Sequence, residues 1–213
     1  MKYCSRLRMR SFLLIITLLG LPAALLAADD GREPYDDRYC TTCHGTDGKG
    51  NEGVQAPRLA GMEPWYLRRQ LENFRAGIRG THPEDIEGIA MQPMAAKLGD
   101  ESIEDIVDWV SSWPYEPAEI TISGDESVGR QLYTSCATCH GDQAQGNQAL
   151  GAPALAGQND WYLVTQLKNF MAGYRGYHPD DIYGQQMRTM VQTLGDDSGI
   201  VNVVSYINTL ADR

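Results

Sequence analysis

The sequence predicts an all-α chain built from two tandem domains of one kind. Three observations carry this. A pentapeptide of the form Cys-x-x-Cys-His occurs twice, at Cys40–His44 and at Cys136–His140. Displacing the chain by 96 residues aligns its halves without a gap from Cys40 to Asp100, and 33 of the 61 positions are identical. Within each copy, apolar residues recur at the spacing of one helix face, as in Leu67, Leu71 and Phe74.

Residues 1–10 carry Lys2, Arg6, Arg8 and Arg10. An apolar run follows to residue 28, with small residues at its end and Asp29-Asp30 behind it. This three-part layout predicts a signal peptide over 1–28. An uncleaved membrane anchor is the competing reading, because the run is about as long as a minimal span. Cys4 lies inside the basic stretch and would leave with it. No later stretch is long and apolar enough to cross a membrane, so contact with a membrane is expected only through a partner or that uncleaved segment. The remaining chain has 14 basic residues against 28 acidic ones. So acidic a surface argues against nucleic acid, whose phosphates need Lys and Arg, and against anionic lipid. It suits a basic redox partner, because complementary charge speeds encounter.

The doubled pentapeptide has the spacing for covalent haem attachment. Cys40 with Cys43, and Cys136 with Cys139, place two thiols on one turn of chain, where they add to the two vinyl groups of one haem. His44 and His140 then face the iron as proximal ligands. A redox Cys pair or half a zinc site would also use Cys-x-x-Cys. Both leave the following His unexplained in both copies.

Taken in order, the first domain spans 29–113, a linker 114–118 and the second domain 119–213. A short helix at Ser127–Tyr133, capped by Ser123 or Asp125, precedes the second motif. Its first-copy counterpart is expected to be shorter, because Pro34 interrupts it. Gly-rich loops, 45–61 and 141–157, follow the motifs. Middle helices are expected at 63–75 and 159–171, stopped by Gly77 and Gly173. A long flexible loop comes next. The last helices begin after Gly99-Asp100 and Gly195-Asp196, with one extra residue at Ser198-Gly199 in the second copy. Trp109 and Tyr206 should pack on the first helix of their own copies. Pro114 and Pro117 make the linker stiff and extended, which favours a fixed relation between domains. Each domain is small enough that a haem must complete its apolar core.

The sixth iron ligand decides the chemistry. Beyond the proximal pair, the only His are His82 and His178, at matching positions. Met91 matches Met187, and Met94 matches Met190. A thioether raises the potential and suits an electron carrier. Met91 and Met187 are the first choice, with Met94 and Met190 packing nearby. His82 and His178 are the competing ligands, but each precedes Pro in a turn-like segment. They are read instead as partners of a loop or a haem propionate. Arg79 and Arg175 could pair with propionates or be solvated surface charges. Trp65, Tyr66, Trp161 and Tyr162 are expected to line the haem pocket.

The ordered set Cys-x-x-Cys-His-Gly, Ala-Pro-x-Leu-Ala-Gly, Tyr-Leu-x-x-Gln-Leu-x-x-Phe-x-x-Gly and Met-x-x-Met-x-x-x-Leu, all doubled, resembles the dihaem cytochromes of the c4 type. The resemblance covers nearly all of the mature chain. It implies two tandem class I cytochrome c domains, each wrapped around one covalent haem c. It further implies His/Met ligation at both irons, a periplasmic location and electron delivery in a respiratory chain towards a terminal oxidase. By position, it supports Met91 and Met187 as ligands. The Arg-Gly-x-His-Pro-x-Asp segment departs from the pattern and also resembles cytochrome domains joined to oxidase or dehydrogenase subunits. The expected function is therefore a soluble electron carrier, with no catalytic residues, working with a terminal oxidase, a quinol-oxidising complex or a dehydrogenase. The alternatives are an electron-transfer subunit of an exported dehydrogenase, and a dihaem peroxidase, which would need unequal haem sites.

Overall fold

The computed structural model describes residues 40–211. The predicted signal peptide, residues 29–39 and the helix expected before the first motif lie outside the described residues. The first domain contains α1 (Cys40–His44), a 3-10 turn at Glu52–Val54, α2 (Pro64–Arg75), α3 (Ile86–Ala95) and α4 (Asp100–Ser111). The second contains α5 (Glu126–His140), a 3-10 turn at Gln148–Leu150, α6 (Asp160–Ala172), α7 (Ile182–Met190), a 3-10 turn at Val191–Leu194 and α8 (Asp197–Asn208). No strand occurs among the described residues. Single bridges pair Asn51 with Ala56 and Asn147 with Ala152, at repeat-equivalent positions.

α5 is longer than the sequence suggests. Asp125, not Ser123, caps it, accepting from the Ser127 and Val128 amides at 2.9 and 3.0 Å. Nothing then interrupts the helix until Gly141, whose φ is +81°. The haem motif is therefore its last turn. α5 lies directly on α8: a Cβ at Gly129 would meet the Asn202 carbonyl, so only glycine permits this approach. Tyr133 and Tyr206 meet across the contact with ring centroids 5.5 Å apart and their planes tilted by 57°, as expected for Tyr206. Trp109 meets Trp113 edge-on at 5.1 Å; the first-copy helix it is expected to pack on lies outside the described residues.

Each domain has its own core. In the first, Leu67, Leu71 and Phe74 of α2 meet Ile103, Ile106, Val107 and Val110 of α4. In the second, Leu163 and Phe170 of α6 meet Ile200, Val203, Val204 and Ile207 of α8. Each such side chain contributes about 1.5–3 kcal/mol when fully buried. The extra residue in the second copy restores this same face of α8.

The segment carrying the methionines is helical, where a long loop followed directly by the last helix is expected from the sequence. Asp85 and Asp181 cap α3 and α7, accepting from the amides of Gly88 at 3.2 Å and Gly184 at 2.9 Å. Gly88, Pro93 and Gly184 blur the helical signal in the sequence. Pro93 sits inside α3, where its missing N–H removes one helical bond.

The linker is extended and held to both domains. Tyr115 is wedged between Gly61 and Gly157, two repeat-equivalent glycines at which any Cβ would strike its ring or hydroxyl. The Ala118 amide donates to the Gly157 carbonyl at 3.1 Å, and Glu116 pairs with Lys49 at 2.9 Å. Beyond it, Asp160 accepts from the Thr121 amide at 2.6 Å and the Ile122 amide at 2.7 Å.

Candidate functional site

The two proximal histidines are oriented identically. His44 Nδ1 lies 2.7 Å from the Pro57 carbonyl oxygen, and His140 Nδ1 lies 2.7 Å from that of Pro153. A carbonyl only accepts, so each Nδ1 carries the proton and each Nε2 keeps its lone pair for a metal. Burial lowers the pKa of both rings, against the opposing effect of the carbonyl. Both are therefore neutral and ready to ligate at neutral pH. The loops holding these carbonyls are the repeated Ala-Pro-x-Leu-Ala-Gly segments.

A cavity of about 190 Å³ opens beside the second motif. Cys136, Cys139, His140, Leu163, Phe170 and Met187 are among its lining residues. Burial pushes the Cys136 thiol pKa up. Met187 is half-buried against the second core, and Met91 packs in the same way with Cys40 and Leu59 on the first. Met94 and Met190 are each 40% exposed, although Met190 still touches the rim of the cavity. His82 and His178 do not line this cavity. His82 stacks on Tyr174 of the other domain at 5.0 Å. The ring nitrogens of His82 and His178 accept from the amides of Glu84 and Asp180, each at 3.2 Å, within their own turns. Tyr66 and Tyr162 reach the cavity. Trp65 and Trp161 do not line it; they pack edge-on against Tyr66 and Tyr162.

Arg79 and Arg175 are buried, so they are not the solvated surface charges weighed as one reading. They lock the domains together. Arg79 donates to Gln70 of its own domain at 2.7 Å, and to Gln166 and Tyr162 of the other at 3.0 and 3.3 Å. Arg175 mirrors it, donating to Gln166 at 2.6 Å, and to Gln70 and Tyr66 at 3.2 and 2.9 Å. Each guanidinium lies 4.5 Å from a phenylalanine ring, Phe74 or Phe170. Burial alone would lower the Arg175 pKa, but Tyr66 and Tyr162 outweigh it and raise it. Burial likewise opposes ionisation of Tyr162, yet Arg79 and Arg175 together hold its pKa below the ordinary value.

Sequence reasoning missed Gln70 and Gln166 as partners of the arginines. It also missed Arg58, Arg69 and Glu63 of the first domain, which line the second domain's cavity. The doubled Gln in Tyr-Leu-x-x-Gln-Leu was visible, but nothing in one sequence shows that two copies face each other.

The donor set fits a haem in each domain. Thiols stand beside an oriented imidazole, a thioether lies on the same core, and the cavity wall is mainly apolar. Cys40, Cys43 and His44 would hold one group, and Cys136, Cys139 and His140 the other. When bound, haem supplies reversible one-electron chemistry at its iron.

Comparison with known proteins agrees. The cytochrome c family model matches twice, over residues 28–114 and 127–211. A protein named as the thiosulfate dehydrogenase electron acceptor of Stutzerimonas stutzeri (strain A1501) is 34% identical, covering 92% of this chain and 95% of that one. Cytochrome c4 of Stutzerimonas stutzeri is 31% identical over 78% of this chain and 82% of its own. Among solved structures, thiosulfate dehydrogenase (TsdBA) of Marichromatium purpuratum superposes with a TM-score of 0.66 at 31% identity, covering 85% of this chain and 40% of that one. Reduced cytochrome c4 from Pseudomonas stutzeri gives 0.64 at 28% identity, with 85% and 98% coverage. The chain belongs to the cytochrome c family: it is a dihaem cytochrome of the c4 type, with two tandem domains and two covalently bound haem c groups, and it carries electrons rather than catalysing a reaction.

Proposed function

We propose that this cytochrome works in the periplasm, taking single electrons from an exported dehydrogenase and passing them towards a terminal oxidase. Both irons are read as His/Met ligated, by His44 with Met91 and His140 with Met187. One observation carries the reading. The two domains are fixed by the reciprocal Arg79 and Arg175 network, so an electron entering one domain has a second haem at a set position. The relative named as the electron acceptor of thiosulfate dehydrogenase supports a donor that oxidises inorganic sulfur compounds. The Marichromatium structure, of whose chain this one spans 40%, favours a second reading, in which the cytochrome stays bound to its dehydrogenase.

Stopped-flow mixing of the oxidised holoprotein with thiosulfate dehydrogenase and thiosulfate tests the donor. Reduction of both haems, at a rate that falls steeply with salt, is the expected result. Both haems staying oxidised, while a generic small-molecule reductant reduces them, would remove the dehydrogenase from the account. Size-exclusion chromatography of the mixture separates a shuttle from a permanent subunit.

A further inference from the structure

The internal repeat is broken at the domain boundary in one telling place. Arg58 follows Pro57, the residue whose carbonyl holds His44, yet it is among the residues lining the second domain's cavity, which Cys139 and His140 also line. The repeat counterpart of Arg58 is Ala154, and that of Arg69, which also lines the cavity, is Thr165. The first domain therefore sends two cations towards the second haem's site, and the second domain returns neither.

Arg58 is only 2% exposed. Its Nη1 donates to the Gly157 carbonyl at 2.9 Å, its amide donates to Asn159 Oδ1 at 2.7 Å, and its guanidinium lies 5.7 Å from the Tyr115 ring. Its Nε is buried with no hydrogen-bond partner. Among the described residues it takes part in no ion pair; Glu116 and Asp47 act on it only at longer range. A buried cation with an open donor is costly unless an anion meets it. The other buried Nε in this position belongs to Arg79. Arg79 has a repeat partner in Arg175, so it does not distinguish the two haems.

We infer that Arg58, assisted by Arg69, holds a propionate carboxylate of the second haem from across the domain boundary, and that this cross-domain charge sets the second haem apart from the first. A haem c keeps two propionate carboxylates after its thioether bonds form. A guanidinium donates to one of them as a charge-assisted hydrogen bond. A fixed cation near the ring disfavours the ferric iron, which carries one more positive charge than the ferrous iron, and interactions inside a protein are little screened. Arg58 is thus a positioning residue that raises the midpoint of the second haem while belonging to the first domain. The inference rests on two bound haems and is independent of the partner's identity.

The test is a spectroelectrochemical titration of the holoprotein, with the two haems told apart by their hyperfine-shifted methyl resonances. A haem count of two per chain is required first, so a failure of haem loading is not mistaken for a failure of the inference. In Arg58→Met, which keeps the aliphatic stem, the second haem's midpoint falls and the first stays in place. Arg58→Lys restores most of the shift, which a purely structural loss would not do. Should Arg58→Met not load both haems, Ala154→Arg replaces it: this adds the cation on the mirror side, and the first haem's midpoint then rises. Unmoved midpoints in whichever variant is read, or an equal fall of both haems that Lys does not restore, would overturn the assignment.

Discussion

The guanidinium of Arg175 donates to the hydroxyl of Tyr66 at 2.9 Å, across the boundary between the two domains. The same guanidinium also bonds Gln166 and Gln70. Its mirror, Arg79, closes the pattern from the other side. Hydrogen bonds to a charged group contribute about 1.5–3 kcal/mol each, and leaving their buried partners unpaired adds a penalty. Arg175→Met should therefore lower stability by roughly 2–4 kcal/mol. Guanidinium unfolding followed by haem absorbance measures it. The variant should also loosen the coupling between its domains, because only the Arg79 half of the lock remains.

Asp160 anchors the chain where the linker enters the second domain. It is buried and accepts from Thr121, Ile122, Trp161 and Asn208. Burial alone would raise its pKa, but the bonds from Thr121, Ile122 and Trp161 outweigh burial and hold it below the ordinary carboxylate value. A lowered folded pKa means the unfolded chain binds the proton more readily. The stabilisation is complete above the ordinary carboxylate pKa and fades as pH falls through the folded one. Asp160→Asn should cost about 2 kcal/mol at neutral pH. Stability measured from pH 7 down to pH 3 should show a flatter acid limb in the variant.

Gly176 controls the helix that carries Met187. Its φ is +75°, and a Cβ there would strike the carbonyl of Gly184 in the first turn of α7. Gly176→Ala should displace α7 and, on the proposed His/Met ligation, loosen Met187 from the second iron. The far-red band of Met-ligated ferric haem should lose up to half its intensity, and reduced protein should begin to bind carbon monoxide at one haem. Gly80→Ala should act the same way on Met91, because Gly80 meets the Gly88 carbonyl.

Removing the second haem should cost the second domain its core. The cavity beside Cys136 and Cys139 is lined by Leu163, Phe170, Val203 and Ile207, and without the group it would stand unfilled against the second core, at a cost that grows with its volume. Cys136→Ala with Cys139→Ala should yield a chain with one haem, lower helicity by far-UV circular dichroism, and rapid proteolysis after residue 118.

Much of this architecture was legible because the chain repeats itself. The doubled Cys-x-x-Cys-His located both attachment sites, and Leu67, Leu71 and Phe74 marked the buried face of α2. The capped helices α3 and α7 were not legible, because Asp85 and Asp181 act through side-chain caps beside glycines that read as loop. Arg79 and Arg175 stood out in the sequence, but their partners did not. Gln70 and Gln166 meet the arginine of their own copy nine residues on, but their bonds to the other copy's arginine exist only because the two copies face each other, and a contact across so many residues leaves no local pattern.

The most direct test of the account is an optical redox titration of the mature holoprotein, read at the far-red band of Met-ligated ferric haem. The account predicts that both haems show the band, that both titrate at positive potential, and that Met91→Ala and Met187→Ala each remove half of it. A haem that lacks the band in the unmodified protein and titrates far below the other would contradict His/Met ligation at that iron. It would return His82 or His178, or an open site, to consideration.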